Sequence, residues 1–362
     1  MQTNEIISVC SQFNIDRPAV SSTPFGSGHI NSTFLIALDN GEHYVLQKIN
    51  TYVFKNPEKL MDNVFEVTNF IAKALENAGE DVSRGTLSFI NTKNGKKFYD
   101  DQNGNAWRMY KHVNNSTAYD SVDRKGLLYE AAYAFGKFQN QLGDYPAETL
   151  YETIPDFHNT PVRYKAFEDA VKQDAVGRAQ SVSEEIKILR QYANRASIIT
   201  EKLDNKIIPV RVTHNDTKLN NVLIDNTSGK GICVIDLDTV MPGSLLYDFG
   251  DSVRYAANNG AEDEHDLSKV WLNLDLFKEL SEGFLLGVGD AITYEEKELL
   301  PISVFILSYE LALRFMTDYL NGDVYFKTKY PEHNIARTRV QITLMKDIDE
   351  KLDQMKSIID SI

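Results

Sequence analysis

The chain has 362 residues, of which 42% are hydrophobic and 25% are charged, a composition typical of globular proteins. This length is enough for two domains or lobes, each with its own hydrophobic core. The formal net charge is -14 at pH 7. A negative field of this size disfavours binding to nucleic acids and to anionic membrane surfaces, so we expect neither as a partner.

The chain contains no run of 18 or more apolar residues, and polar residues interrupt its most apolar stretch, 299–313. We therefore expect this stretch to be a buried helix and not a membrane span. The N-terminal residues lack the basic start and the long apolar centre of a secretory signal. Cys10 and Cys233 are far apart and show no zinc-like spacing, and Cys233 lies in an apolar run typical of a core thiol. Together these features predict a cytoplasmic protein.

The beginning of the chain predicts a short helix and then a β-hairpin. The helix lies within residues 1–18 and ends near Pro18. Segments 33–38 and 43–49 are strand-like and are joined through Asn40–Gly41, a pair that suits a type I′ turn.

The rest of the chain predicts a change from strands to helices. Apolar residues at helical spacing indicate a helix over 59–79, and segment 87–113 indicates three further strands, giving an antiparallel sheet of about five strands with one inserted helix. Beyond residue 117 the pattern is mostly helical apart from a β-rich patch at 207–238. The predicted helices cover 123–142, 161–176, 183–203, 266–287, 294–320 and 334–360.

The segment HNDTKLNN contains His214, Asp216 and Asn221 in the spacing H-x-D-x-x-x-x-N, and an apolar run that contains Asp236 follows it. This is the spacing of a kinase catalytic loop followed by a metal-binding aspartate. Phosphoryl transfer needs a carboxylate beside the attacking hydroxyl and separate ligands for magnesium. Asp216 is therefore the candidate base, and Asn221 and Asp236 are the candidate metal ligands. Asp238 either assists in metal binding or is a solvated neighbour.

An alternative interpretation makes Asp216 a turn residue and Asn221 a cap. Farther along the chain, Asp248 is predicted to be a buried carboxylate that supports the catalytic loop, a structural role also assigned to His214. Asp251 and Arg254 read as surface residues of a helix.

A glycine-containing loop, PFGSGHINSTF, lies before the first long hairpin. Gly26, Ser27 and Gly28 would let backbone N–H groups approach phosphates, although G-x-G alone equally describes a plain turn. No G-K-[ST] follows, so the loop is not a Walker A sequence.

Four further residues are candidates for the nucleotide site. Lys48 ends a predicted strand and Glu66 lies in the following helix, so the two are candidates for a phosphate-binding ion pair; solvated charges are the alternative. Tyr110 and His112 lie in the segment that would join two lobes, where backbone groups would contact adenine. Because the net charge of the chain repels ATP, such a site must be locally positive and must use magnesium.

These motifs resemble the aminoglycoside phosphotransferase and choline kinase superfamily, within which the N-acetylhexosamine 1-kinases resemble the chain along nearly its whole length. The segments that carry the closer resemblance are GSGHINSTF, RVTHNDTKLNNVLID, IDLDTVMPGSLLYDFGDSVR and KYPEHNIARTR. The resemblance implies an α+β, protein-kinase-like two-lobe fold. We expect an antiparallel β N-lobe over 1–112 and a mainly helical C-lobe over 113–362.

The same resemblance implies a sugar site formed by His29, Asp216, Tyr255, Arg314 and Tyr325. Aromatic rings provide apolar faces for a sugar, and cationic or imidazole groups hydrogen-bond its hydroxyls or acetamido carbonyl. Tyr255 stands where the family has a phenylalanine, which adds a hydroxyl.

The implied activity is ATP- and Mg²⁺-dependent phosphorylation of the anomeric C1 hydroxyl of N-acetylglucosamine or N-acetylgalactosamine. No obligate protein partner is implied. A second hypothesis is another small-molecule kinase of the superfamily with choline, homoserine or an aminoglycoside as acceptor. A third is a nucleotide-binding pseudokinase. Lys48 stands where the family has a glutamine.

Overall fold

The computed structural model describes residues 3–26, 30–122 and 124–362. Its strands, in chain order, are β1 (Ala19–Pro24), β2 (Ser32–Leu38), β3 (His43–Ile49), β4 (Phe89–Ile90), β5 (Tyr99–Asp100), β6 (Ala106–Lys111), β7 (Ser116–Thr117), β8 (Arg211–Thr213), β9 (Val222–Asp225), β10 (Gly231–Val234) and β11 (Met241–Gly243). Its helices are α1 (Thr3–Cys10), α2 (Pro57–Ala78), α3 (Val82–Gly85), α4 (Leu127–Gln141), α5 (Thr160–Gln173), α6 (Ser183–Gln191), α7 (Ile198–Asp204), α8 (Leu245–Ala256), α9 (Leu274–Val288), α10 (Tyr294–Leu320) and α11 (His333–Ser361). The predicted antiparallel sheet and helical remainder are confirmed.

The chain forms two compact units. The first unit comprises residues 1–118, 144–155 and 222–242, and the second comprises 119–143, 156–221 and 243–362. The division into domains 1–112 and 113–362 stays a prediction.

The first unit contains a six-stranded antiparallel sheet with the order β1-β2-β3-β6-β4, in which β5 also pairs with β6. A three-stranded sheet has the order β10-β9-β7. A hydrophobic core cluster of this unit lies on one face of the first sheet, where α1 packs against alternate residues of its strands; its buried members include Ile6, Cys10, Phe13, Ile36, Leu46, Trp107 and Met109. Alternation of side chains across the sheet therefore gives each strand one face toward α1 and one face away from it.

The hairpin between β2 and β3 differs from the predicted type I′ turn. Ala37 pairs with His43, so the connection is longer than two residues. Gly41 has φ 83°, whereas Asn40 is not among the residues with positive φ. A type I′ turn requires positive φ at both central residues. Only the glycine takes that conformation here, and the type I′ prediction is wrong.

Helices α4 and α9 pack closely in the second unit because glycines lie at their contact. A Cβ added at Gly136 would come within 2.2 Å of the carbonyl oxygen of Phe284, and one added at Gly283 within 2.3 Å of that of Tyr129. Each substitution would collide with backbone of the other helix, so these positions need glycine.

Helix α10 is long and apolar enough to cross a membrane by length and composition, and 78% of its most apolar window is buried inside the protein. This agrees with the expected buried helix. Two predicted helices have other boundaries. A 3-10 turn at Ala193–Arg195 separates α6 from α7, and α9 begins after Asn273, whose side chain accepts hydrogen bonds from the first backbone N–H groups.

Both cysteines are buried and free. Burial raises the pKa of the Cys10 thiol to about 12 and that of Cys233 to about 12. Both thiols are therefore protonated, unreactive core groups at neutral pH.

Candidate active site

The catalytic-loop motif lies between β8 and a 3-10 turn at Leu219–Asn221. Asn221 donates from Nδ2 to the backbone carbonyl of Asp216 at 2.8 Å and to its Oδ2 at 3.0 Å. The Nζ of Lys218 lies 2.9 Å from the same Oδ2. The predicted base and one predicted metal ligand are therefore in direct contact. Lys218 is missing from the sequence-based prediction, although its place two residues after Asp216 is visible in the motif.

Asp248 fixes the backbone on both sides of Asp216. It lies in the first turn of α8 and is 1% exposed. Its Oδ2 accepts from the N–H of His214 at 2.9 Å, and its Oδ1 accepts from the N–H of Asn215 at 2.8 Å. The hydroxyl of Thr217 donates to the backbone carbonyl of Asp248 at 2.7 Å. Burial raises the pKa of Asp248. These contacts are the ones that its predicted supporting role requires.

His214 is fully buried under the loop. Its Nδ1 accepts from the N–H of Asp216 at 3.2 Å, and its ring contacts Phe135 and Phe138 edge-on. The next residue, Asn215, has φ 66°, a left-handed conformation that asparagine tolerates better than most residues. The loop is thus held by a buried ring and by backbone hydrogen bonds.

Asp251 and Arg254 are not surface residues, so that expectation is wrong. Arg254 is 8% exposed, and its Nη2 lies 2.5 Å from Oδ1 of Asp251. Burial opposes ionisation of Asp251, but Arg254 foremost, and then His158 and Lys218, hold its pKa below the usual range. Asp251 is therefore an ionised carboxylate within electrostatic reach of the catalytic loop.

Arg314 lies among aromatic rings on α10. Its guanidinium is 5.1 Å from the ring centroid of Phe157 and 5.6 Å from that of Phe326. Asp318 holds the following loop by accepting from the N–H of Tyr325 at 2.7 Å and from that of Phe326 at 2.9 Å. One carboxylate thus fixes the backbone that carries the predicted sugar-binding Tyr325.

A second guanidinium, that of Arg163, contacts Phe157 as Arg314 does, and no motif in the sequence pointed to Arg163. Its Nε and Nη2 donate to the carbonyl of Phe157 at 3.3 and 3.0 Å. Burial foremost, and then Arg314, lower its pKa. The neighbouring carboxylate of Glu310 bonds elsewhere: it lies 2.8 Å from Nδ1 of His158 and accepts from Thr160 at 2.8 Å.

The two predicted tyrosines are accessible. Tyr255 is 46% exposed at the end of α8, and Tyr325 is 67% exposed. Their rings are therefore available to a ligand at the surface of the second unit. His29, the other predicted sugar contact, lies outside the described residues, as do Ser27 and Gly28.

In the first unit, Asp236 follows β10 and has φ 61°, ψ 58°. Two residues later, Asp238 is 3% exposed, and one of its oxygens forms an ion pair with the buried Arg108. Asn31 donates to its other oxygen at 2.6 Å. The alternative of a solvated Asp238 is therefore wrong.

Gln47 lies on the same sheet face as Arg108, whereas Lys48 does not. Gln47 pairs across the strands with Arg108, and Lys48 pairs with Trp107 of the buried cluster. Nε of Arg108 donates to Oε1 of Gln47 at 2.9 Å. Nζ of Lys48 lies 3.5 Å from Oδ1 of Asn105.

Glu66 is exposed on α2, and among the described residues no ion pair joins it to Lys48. A different residue of α2 points inward. Asn63, 3% exposed, donates to the carbonyls of Tyr151 and Val240 at 2.7 and 2.9 Å. The nucleotide-binding roles of Lys48 and Glu66 stay predictions.

The other predicted nucleotide contacts lie near the ends of strands β1 and β6. Gly26 follows β1 with φ 78°, a conformation that suits glycine. Tyr110 is the second-last residue of β6, its ring lies 5.2 Å from that of Phe89, and burial raises its pKa. The N–H of His112 donates to the carbonyl of His43 at 3.1 Å. Their nucleotide-binding roles stay predictions.

The donors in the motif suit a hard divalent cation. Both hydrogen bonds of the Asn221 amide use its Nδ2, which leaves Oδ1 as the atom that a cation would take. Asp236 offers carboxylate oxygens, and Mg²⁺ is commonly held by one or two such side chains together with substrate phosphates. Accordingly, the described part of the chain contains no cage of three or more His, Cys, Asp or Glu side chains.

An antiparallel sheet with a helical unit that carries this loop defines a kinase-like phosphotransferase fold. Residues 21–279 match the model described as "Phosphotransferase enzyme family", and the chain belongs to this family.

Solved structures show the same fold at low sequence identity. A spectinomycin phosphotransferase in complex with ADP and spectinomycin is 13% identical over 98% of this chain and 99% of its own, with a TM-score of 0.59. Choline kinase from Cryptosporidium parvum Iowa II is 13% identical over 99% and 98%, with a TM-score of 0.58. An amicoumacin kinase in complex with AMP-PNP and Ca²⁺ is 14% identical over 100% and 94%, with a TM-score of 0.55.

Proposed function

We propose that the protein transfers the γ-phosphoryl group of ATP to the anomeric C1 hydroxyl of an N-acetylhexosamine, N-acetylglucosamine or N-acetylgalactosamine. In this reaction the hydroxyl oxygen forms a bond to the γ-phosphorus, the bond from that phosphorus to the β–γ bridging oxygen breaks, and the products are the sugar 1-phosphate and ADP. Asp216 orients the hydroxyl and accepts its proton. An anomeric hydroxyl is more acidic than an ordinary alcohol, so a single carboxylate suffices as base.

The observation that carries the choice of acceptor is that Arg163 and Arg314 both contact Phe157, Arg163 at its backbone carbonyl and Arg314 at its ring. Two neighbouring guanidiniums disfavour a cationic acceptor such as choline or an aminoglycoside. The carboxylate of Glu310, which is hydrogen-bonded to His158 and Thr160, offsets this charge only in part, because one negative charge faces two guanidiniums. A neutral sugar is compatible with such a site, and its acetamido carbonyl accepts hydrogen bonds from a guanidinium.

The aromatic side chains favour a sugar over homoserine. Phe157 and Phe326 flank Arg314, and Tyr255 and Tyr325 are exposed. Ring faces pack against the apolar C–H faces of a pyranose, as they do not against a small, flexible acceptor such as homoserine. Arg314 and Tyr325 then contact the sugar, and His29 completes the proposed set.

At the donor end, we assign metal ligation to Asn221 and Asp236, with Gly26, Ser27 and Gly28 at the phosphates. Bound magnesium would neutralise phosphate charge and so lower the barrier to attack. Lys218 adds a cation beside Asp216, which favours binding of an anionic phosphoryl group near the base. Solved structures of the fold bound to ADP, or to AMP-PNP with Ca²⁺, support a nucleotide with a divalent metal.

The test is an acceptor panel. The enzyme is incubated with Mg²⁺-ATP and with N-acetylglucosamine, N-acetylgalactosamine, choline, homoserine or an aminoglycoside, and ADP release is measured. We expect release above the ATP-only blank with at least one N-acetylhexosamine, and a phosphorus NMR signal coupled to the anomeric proton. ADP release only with choline, homoserine or the aminoglycoside would contradict the sugar acceptor and support the second hypothesis, another small-molecule kinase. Nucleotide binding without turnover on any acceptor would favour the pseudokinase.

A further inference from the structure

Asp238 stands two residues after the proposed metal ligand Asp236, and a second carboxylate at this spacing is an obvious candidate for a second ligand. Its surroundings point elsewhere. One of its oxygens is paired with the guanidinium of Arg108, and the other accepts from Nδ2 of Asn31 at 2.6 Å. The side chain is 4% exposed, and that of Arg108 is 3% exposed. Both oxygens are therefore already bonded inside the protein, and the negative charge is balanced by a buried cation.

The partners of Asp238 are themselves fixed. Arg108 lies in the centre of β6 and also donates to Gln47 of β3 at 2.9 Å. Asn31 precedes β2, and its Oδ1 accepts from the N–H of Asn50 at 3.0 Å. Asp238 is thus bonded to Arg108 of β6 and to Asn31 just before β2, and Arg108 in turn is bonded to β3, which lies between these two strands.

The backbone that follows Asp236 is held from its other side as well. The hydroxyl of Thr153 donates to the carbonyl of Asp238 at 3.3 Å. Asn63 of α2 donates to the carbonyl of Val240 at 2.9 Å. The 3-10 turn at Leu237–Thr239 therefore has anchors to both the sheet and α2.

Asp236 needs such anchors because its backbone is in the left-handed region, with φ 61°. Residues other than glycine keep this conformation only where their surroundings enforce it. Rotation about the Asp236 backbone would redirect its carboxylate, and the anchors of the turn oppose that rotation.

We propose that Asp238, held by Arg108 and Asn31, is a positioning residue that fixes the orientation of Asp236 and is not itself a ligand of the metal. The inference rests on the metal-binding role proposed for Asp236. It assigns Arg108 and Asn31 to the support of the nucleotide–metal site. It also gives a reason for a charged pair in the interior, where replacement by apolar residues often leaves a protein at least as stable.

The two possible roles of Asp238 predict opposite effects of removing Arg108. If Asp238 were a metal ligand, loss of the neighbouring cation would free its carboxylate and strengthen cation binding. If Asp238 positions Asp236 through Arg108, the same loss weakens cation binding. The measurement is the affinity for Mn²⁺ in the presence of ADP, by electron paramagnetic resonance of free Mn²⁺. It needs no acceptor, so it is independent of the sugar assay.

We expect Asp238→Asn and Arg108→Met each to weaken Mn²⁺ binding about tenfold, within the range found when partners of metal ligands are removed. The double variant should lose no more than either single one, because both act through one anchor. Arg108→Lys keeps the positive charge and should disturb folding less than Arg108→Met does. It should also weaken Mn²⁺ binding, because an ammonium cannot hold both Asp238 and Gln47. Mn²⁺ binding that is unchanged in Asp238→Asn, unchanged in Arg108→Lys, or stronger in Arg108→Met would overturn the proposal.

Asp225→Asn is the matched control, because Asp225 pairs with Arg84 at 2.6 Å in the same unit. This variant should lower thermal stability without changing the affinity for Mn²⁺. A tenfold loss of Mn²⁺ affinity in Asp225→Asn would show that breaking any ion pair in this unit weakens metal binding. Asp236→Asn should abolish the binding. Failure of the wild-type protein to bind Mn²⁺ with ADP would contradict the metal site itself, an outcome distinct from failure of the positioning role.

Discussion

The ammonium of Lys218 lies 2.9 Å from Oδ2 of Asp216, the same oxygen to which Asn221 donates at 3.0 Å. One carboxylate oxygen therefore has two donors, which fix the side chain in one orientation. The other oxygen remains the more suitable acceptor for a substrate proton.

Asp216→Asn should reduce kcat by about 10²- to 10⁴-fold, the usual contribution of a general base, because the amide cannot accept the proton of the acceptor hydroxyl. The melting temperature should change little, since the loop is held chiefly through Asp248. The measurement is ADP release with saturating acceptor, beside a thermal unfolding curve. Asp169→Asn, an exposed carboxylate on α5, is the control. A rate that stays within about threefold of wild type would mean that no large transition-state interaction was lost, and it would remove Asp216 from its role.

Arg314→Lys should raise the KM for the acceptor about tenfold or more with a smaller effect on kcat. A lysine keeps the positive charge but loses the planar fork and its packing between Phe157 and Phe326. Charged hydrogen bonds of this kind are worth about 1.5–3 kcal/mol. Steady-state kinetics with varied acceptor measure the effect. The control is Arg339→Lys, which should leave KM unchanged. Arg339 forms an ion pair with Glu185, and its side chain is 46% exposed. An unaltered KM in Arg314→Lys would contradict acceptor binding by this residue.

Glu296→Gln should destabilise the second unit strongly. Glu296 is fully buried, accepts two hydrogen bonds from Arg211 at 2.8 and 2.7 Å, and closes a capping box with Thr293 at the start of α10. Breaking a buried pair on one side typically costs about 3–5 kcal/mol, because an uncompensated charge is left inside. Urea unfolding would measure it.

The control for that experiment is Glu298→Gln, two residues along the same helix. Glu298 pairs with Lys356 at 2.6 Å, and the lysine side chain is 51% exposed. An exposed pair contributes little to stability, because water and salt screen the two charges. Equal losses in the two variants would contradict the assignment of stability to the buried pair.

Asp101 should contribute stability that disappears in acid. Burial raises its pKa, but the hydrogen bonds from Asn105, Trp107 and Asn103 together outweigh burial and lower the pKa to about 2. An unfolded aspartate has a pKa of about 3.9. Because the folded pKa is the lower one, the stabilisation is fully present above about pH 4 and is lost as the pH falls toward about 2.

The check on Asp101 is the difference in unfolding free energy between wild type and Asp101→Asn across this range. The difference should be largest above about pH 4 and should shrink as the pH falls to about 2. A difference that stays constant with pH would show that the carboxylate charge has no part in the stabilisation.

The sequence alone determined the order of the elements, because strand alternation, helical spacing and capping residues are local properties. Helix α2 with its glycine cap at Gly79, and the hairpin of β2 and β3, follow from such patterns. Where the structure departs from them, as at the break between α6 and α7, contacts with residues distant in sequence are involved: Arg195 in that break pairs with Asp349. The turn at Asn40–Gly41 differs because loop length is fixed by strand register.

The sequence also determined the family and the chemistry of its motifs, since the spacing of Asp216, Asn221 and Asp236 is a local property of two short segments. Only the tertiary structure decided which charges meet. Arg211 and Glu296 are far apart in the chain, as are Arg108 and Asp238, and no periodicity relates them. The register of β3 against β6 decided that Gln47 and not Lys48 lies beside Arg108, because adjacent residues of a strand point to opposite faces of the sheet. A linear pattern contains the residue types, whereas their pairing depends on how the folded backbone brings them together.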